Sequence, residues 1–260
     1  MSLKNTFAKA IFYIKRNSFL KLAINWWYYL LVQSYKKRLS YKYLRGDGVE
    51  IGALMNPLPY NKKQAKVRYS DYKSTKDLVE AYPDLKGFHL VDVEYVCPAD
   101  DLHAIPTSSQ DFLIASHVFE HLTNPIGGLQ EFYRVCKNQG IIYLVVPEKT
   151  RTGDKFRPRT KLSHMIDDYY EPSTERDLEH YREFVHMDPN DRWAFDSEAR
   201  RLQKIIESFH YHVFLEDDVL EIIDWCNRNI PVNFEIIDHK PLLSNNPADL
   251  DFVLIIRCHK

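Results

Sequence analysis

The residues of this 260-residue chain that could do chemistry gather in a few short stretches. The densest is SQDFLIASHVFEHLTNP, residues 109–125, which sets Ser116 and His117 at the end of an apolar run and His121 four residues on. Imidazole titrates near neutral pH, so either histidine is a candidate general base for a hydroxyl or amine nucleophile. The segment His117-Val118-Phe119-Glu120-His121 also reads H-x-x-E-H. In that pattern two histidines on one helical face hold zinc and the glutamate serves as base. Such a use needs a continuous helix. Here the preceding residues are strand-like, and Thr123, Asn124 and Pro125 cut a helix short. A zinc-dependent hydrolase is therefore the alternative reading, and the expected site holds no metal.

A second group is acidic. Glu50 closes an apolar run, Asp71 ends the strand-like KVRYSDY, and Asp100 and Asp101 follow a third such stretch. Gly52 comes two residues after Glu50, where a phosphate-cradling loop would supply further glycines; this chain continues Ala53, Leu54, Met55, Asn56, Pro57. The turn suits a ligand that lacks a pyrophosphate. A third group is basic. Arg151, Lys155, Arg157, Arg159 and Lys161 precede His164, and guanidinium forks match carboxylate or phosphate. Arg151, Arg157, Arg159 and His164 are the expected substrate contacts, which points to an anionic acceptor. His164, His180, His186, His210 and His212 crowd the later chain as a second polar wall or a metal site, although their spacing fits no standard ligand motif.

These residues need a frame. GVEIG, KVRYSDY, FHLVDVEYV, DFLIAS and IIYLVVP read as strands, the last apolar enough to be buried on both faces. KDLVEAYPDL is helical until Pro83. PIGGLQEFYRVCKNQG is helical, with Leu129, Phe132, Tyr133 and Cys136 at helical spacing and Gly140 past its end. DDVLEIIDWCNRN is a further helix, and VNFEIIDHK and DFVLIIRCH form a closing strand pair with no helix between them. The alternation predicts an α/β fold: a Rossmann-like open sheet, mostly parallel with an antiparallel last strand, and helices on both faces. Residues 148–200 break the pattern as a charged insertion, too long for an ordinary loop.

Composition narrows the functions. A net charge of −1 removes any global electrostatic case for nucleic-acid binding. The four cysteines are far apart and form no C-x-x-C pair, which suits a reducing, cytoplasmic setting. Residues 1–44 stand apart as a helical region. Its stretch FLKLAINWWYYLLVQ is aromatic, flanked by basic residues and shorter than a spanning helix. It either packs on the domain of residues 45–260 or touches a membrane surface through residues 11–40.

The ordered set of strand-end motifs, from Glu50-x-Gly52 through Asp71 and Asp100-Asp101 to Ser116-His117, resembles the class I S-adenosylmethionine-dependent methyltransferases, over about residues 45–147 and again at the final strand pair. In that family the first strand usually ends acid-x-Gly-x-Gly-x-Gly, and here only the first acid-x-Gly survives. The missing glycines leave a non-catalytic scaffold as a further alternative. The resemblance implies S-adenosylmethionine as cofactor. Glu50, Gly52 and Ala53 would lie at its methionine end, Asp71 at the ribose, Asp100 or Asp101 with Leu102 at the adenine, and Ser116 and His117 at the methyl-transfer point. It also implies a small-molecule or glycan acceptor.

Overall fold

The computed structural model describes residues 18–185, 195–205, 209–242 and 249–260. His186 and residues 11–17 lie outside them. The elements run α1 (Ser18–Tyr43), β1 (Gly46–Ile51), β2 (Ala65–Asp71), α2 (Thr75–Ala81), β3 (Val93–Val96), β4 (Gln110–Ser116), α3 (Pro125–Val135), β5 (Cys136–Pro147), α4 (Leu162–Tyr170), α5 (Thr174–Val185), α6 (Phe195–Ile205), α7 (Glu216–Asn229), β6 (Phe234–Lys240) and β7 (Asp251–Cys258).

The strands form one sheet in the order β3-β2-β1-β4-β5-β7-β6. The first five are mutually parallel, and β7 runs antiparallel to both β5 and β6. Chain order reverses between β1 and β4. Crossovers leave this point in opposite directions, which opens a crevice at the carboxyl ends of the two strands. The expected Rossmann-like sheet is therefore present, with its reversed last strand.

Each sheet face carries its own core. On one, Val49, Leu113, Ala115, Ile142, Leu144 and Leu254 pack under α3 and α7. On the other, Val67, Phe112, Ile114, Tyr143, Val145 and Val253 meet Leu39 and Leu44 at the end of α1. The strand-period alternation of these residues puts them on opposite faces. β5 is buried on both, which explains its unbroken apolar run. Residues 32–44 thus close one face of the sheet. No helix among the described residues is long and apolar enough to cross a membrane.

Two elements depart from the sequence reading. The helix expected over 125–140 ends at Val135, and Cys136 opens β5. Cys136 does reach the core, but as a strand residue paired with Gln110. The register then shifts before Phe112 meets Ile141, and Gln139 adopts φ 64° in that irregularity. The strand expected over 88–96 is confined to Val93–Val96. Just upstream the Thr75 hydroxyl donates to the Val91 carbonyl at 3.0 Å and accepts from the Val93 N–H at 2.9 Å. The inserted segment is largely helical, comprising α4, α5 and α6 after two short 3-10 turns at Lys149–Arg151 and Gly153–Phe156.

Candidate active site

A cavity of about 620 Å³ opens at the crevice. Gly52, Asp71, Asp100, His117, His121 and Tyr211 are among the residues that border it. Its floor is the turn after β1. Gly52 has φ 66°, and a Cβ built there would stand 3.1 Å from Val118 Cγ2. The backbone can therefore approach a ligand closely only because no side chain intervenes. Two residues on, Leu54 adopts φ 48°, a left-handed conformation that glycine would adopt without strain. The loop keeps a glycine-like path with a side chain in place, held by the Val91 N–H donating to the Leu54 carbonyl at 2.9 Å.

Glu50 departs from its expected role as a ligand contact. It is 1% exposed and does not border the cavity. Its Oε1 accepts from the Leu58 N–H at 2.8 Å, bracing the far end of the loop. Burial pushes its carboxyl up to about 8, against the pull of that hydrogen bond. Ala53, Ser116 and Leu102 also lie off the cavity wall. Leu102 is fully buried, and its N–H donates to Glu131 Oε2 at 2.8 Å.

Asp71 ends β2 at the cavity edge. One oxygen accepts from the Tyr72 N–H at 2.8 Å, and burial raises its carboxyl to about 6. Of the adjacent acids, Asp100 borders the cavity and is likewise raised by burial. Asp101 turns outward, 66% exposed, with His103 Nδ1 at 3.2 Å. The geometry favours Asp100 over Asp101.

The two histidines differ sharply. His117 follows β4 with φ 55°, an uncommon conformation for a residue with a side chain. Its Nε2 lies 3.2 Å from Asp251 Oδ2, and its Nδ1 lies 3.5 Å from Glu120 Oε1. Lys36 of α1 reaches the same Asp251 oxygen at 2.5 Å. Burial opposes protonation of His117, but the hydrogen bond to Asp251 and the nearby Glu120 carboxylate outweigh it and lift the pKa to about 9. His117 is therefore cationic at neutral pH, a donor rather than a base. His121 sits in a 3-10 turn, Phe119–His121. Its Nδ1 lies 2.8 Å from the Phe209 carbonyl, which assigns the proton to Nδ1 and the lone pair to Nε2. Burial lowers its pKa, so it stays neutral. Because His117 precedes the 3-10 turn in a left-handed conformation and His121 closes it, they do not share the helical face that the zinc-protease pattern requires.

Behind them, Glu120 is 1% exposed, and neither of its oxygens has a hydrogen-bond partner among the described residues. His121 Nε2 and His210 Nε2 each lie 3.9 Å from Glu120 Oε1.

The basic run differs from expectation as well. The Arg157 side chain is fully buried; it donates to Asp154 at 3.1 Å and to the carbonyls of His210 and Tyr211 at 2.5 and 3.0 Å. It therefore holds the 209–215 segment, which brings Tyr211 to the cavity wall. Arg159 pairs with Asp218 at the start of α7, Arg151 lies off the cavity in a 3-10 turn, and His164 turns toward Asp168 and His180. Glu120, Asp251, Lys36 and Tyr211 were not singled out in the sequence. Glu120 was visible only as the acid of the H-x-x-E-H pattern, and nothing local marks Asp251 or Lys36, which meet across 215 residues of chain.

Residues 55–144 match the family model of a methyltransferase domain. No curated protein matches the sequence. Among solved structures, a putative methyltransferase from Bacillus halodurans is 12% identical over 88% of this chain and 99% of its own, with a TM-score of 0.46. A possible histamine N-methyltransferase from Thermotoga maritima, S-adenosylmethionine-dependent, is 15% identical over 92% and 97%, with a TM-score of 0.42. The CurJ carbon methyltransferase is 12% identical over 83% of this chain, with a TM-score of 0.42, and the match spans about half, 49%, of that longer chain.

Proposed function

We propose that this chain is a class I S-adenosylmethionine-dependent methyltransferase, a reading supported by the match of residues 55–144 to a methyltransferase domain, and that it methylates an oxygen or nitrogen of a small polar acceptor with His121 as general base. One observation carries the reading: a single cavity is bordered by Gly52, Asp71 and a histidine, His121, that burial keeps neutral.

The residues present fit the cofactor. The Gly52 turn accepts close backbone approach, Asp71 at the tip of β2 suits the two ribose hydroxyls, and Asp100 suits an exocyclic amino group. Bound there, S-adenosylmethionine supplies a methyl group on a sulfonium, which a nucleophile displaces in line. The chain's own part is to orient the acceptor and move a proton. His121 Nε2 takes the proton from an acceptor hydroxyl or amine, and the resulting imidazolium is stabilised by the buried Glu120 carboxylate nearby. His117, already cationic, donates to an anionic oxygen of the acceptor. It takes over the role expected of the basic run, since Arg157 and Arg159 are engaged in ion pairs.

A glycan or acidic sugar is the acceptor class we favour, because it supplies both hydroxyls for His121 and a negative charge for His117. We further propose that the enzyme works in a reducing compartment and touches a membrane surface through residues 11–40. Four buried, unbridged cysteines support the first, and exposed Leu30 and Leu31 beside Lys37 and Arg38 support the second.

Labelled methyl transfer to fractionated glycan and metabolite extracts tests the reading. His121→Gln should lower turnover about 10²- to 10⁴-fold with cofactor affinity unchanged. The ascending limb of the wild-type pH profile should fall below the ordinary imidazole range, because the base is active when deprotonated and burial lowers its pKa. Full activity in His121→Gln would remove histidine from the base role.

A further inference from the structure

Away from the cavity, the inserted helices meet the 209–215 segment around four side chains. His164 and Asp168 stand one turn apart on α4, His180 comes from α5, and His212 faces them from the segment after α6. His212 is 0%, His180 2% and Asp168 4% exposed. His164 Nε2 lies 3.2 Å from Asp168 Oδ2 and 3.4 Å from His180 Nε2. His212 Nε2 lies 3.3 Å from the same Asp168 oxygen, and His180 Nε2 lies 3.9 Å from it. One ligand atom from each residue falls within 4.8 Å of all the others.

We infer that His164, Asp168, His180 and His212 bind a divalent transition metal, zinc by preference, in a closed tetrahedral site that nothing in the methyl-transfer reading requires. Ligands about 2.0–2.1 Å from zinc stand about 3.3 Å apart along each edge of a tetrahedron. Three of the four measured separations are within 0.1 Å of that edge. The ligand chemistry also suits the ion, because three imidazoles and one carboxylate are borderline donors.

The surroundings strengthen the case. His212 Nδ1 lies 2.9 Å from the Leu122 carbonyl, the outer hydrogen bond that orients a metal-binding imidazole. That bond leaves a lone pair on Nε2, which faces Asp168 Oδ2 at 3.3 Å. Two facing acceptors repel unless a cation lies between them. A proton would create a fully buried imidazolium, whereas a divalent ion satisfies all four ligands together. The neighbouring group of Glu120, His121 and His210 is wider, at 3.9 Å on two sides, and belongs to the cavity already described.

Four protein ligands leave no open position, so the ion is structural. It fastens α4 and α5 to the segment that carries Tyr211 into the cavity wall. The histidine spacing in sequence resembles no metal motif because the ligands come from three elements that meet only in the fold.

The test is cobalt(II) substitution and metal analysis of the full chain, produced without a polyhistidine tag. The wild-type protein should retain one equivalent of zinc after dialysis. It should show the visible absorption bands of tetrahedral cobalt once exchanged, and its unfolding midpoint should fall by about 5–10 °C on chelation. His164→Gln/His180→Gln should lose the bands and the chelation-dependent shift. The wild-type spectrum stands whether or not that variant folds. Wild-type protein with no retained metal and no tetrahedral bands, or bands that persist in a folded double variant, would overturn the site.

Discussion

His117 and His121 show how two like residues four apart acquire opposite duties. His117 is held between two carboxylates, Asp251 and Glu120, and is charged; His121 points its N–H at a backbone carbonyl and is neutral. The His117 pairing has a pH signature. Its folded pKa, about 9, exceeds the unfolded value of about 6.5, so its contribution is complete below pH 6.5 and is lost as pH rises through about 9. Thermal unfolding across that window should show stability falling in the wild type, and the fall should flatten in His117→Gln. Equal slopes in the two proteins would mean that the pairing does not form. At this scale the sequence was partly legible. Gly52, Asp71 and His117 were visible because each stands at the end of a strand-like stretch, and strand ends face the crevice. Glu50 obeyed the same rule yet is buried, since the loop folds back and offers it the Leu58 N–H. Arg157 was expected to contact an anionic acceptor. Its burial depends on carbonyls of His210 and Tyr211, more than 50 residues away, which no local pattern reveals.

Among the elements, α1 contributes more than a cover for the sheet. Its Lys36 pairs with Asp251 at the start of β7, both side chains at most 10% exposed, and Asp251 in turn holds His117. The last turns of the first helix are thereby linked to the active-site wall through one carboxylate. Removing one partner of a buried ion pair costs about 3–5 kcal/mol when the other charge is left uncompensated. His117 still faces Asp251, so chemical denaturation should report a smaller loss of about 1–3 kcal/mol for Lys36→Met. A loss under about 1 kcal/mol, the scale of an exposed pair, would show the bridge to be solvated. Strand positions were well legible here, because alternating and continuous apolar runs have few other structural uses. The end of α3 was not. Cys136 satisfied the helical spacing and the strand core equally, and the pairing with Gln110 decided between them. The insertion could be read as charged and too long for a loop, but its helices became assignable only once packed on the 209–215 segment.

For the whole molecule, the sheet order sets where chemistry can occur. Reversal between β1 and β4 leaves a cavity at their carboxyl ends, and the residues bordering it come from the ends of β1 and β2, from α2, from the segments that follow β3 and β4, and from Tyr211. The fold class was readable from alternation alone, whereas the cavity's far wall was not, because Tyr211 reaches it only through the inserted helices. The central claim is that this hollow holds S-adenosylmethionine on the Gly52 turn and the Asp71 carboxylate, and calorimetric titration of the purified chain with that cofactor tests it most directly. The wild type should bind at micromolar strength, and Asp71→Ala should lose about 1–3 kcal/mol of binding free energy. Gly52→Val should abolish binding, because it places a branched side chain on the cavity floor at a left-handed φ. No heat of binding from the wild type, or an unchanged affinity in Gly52→Val, would contradict the account.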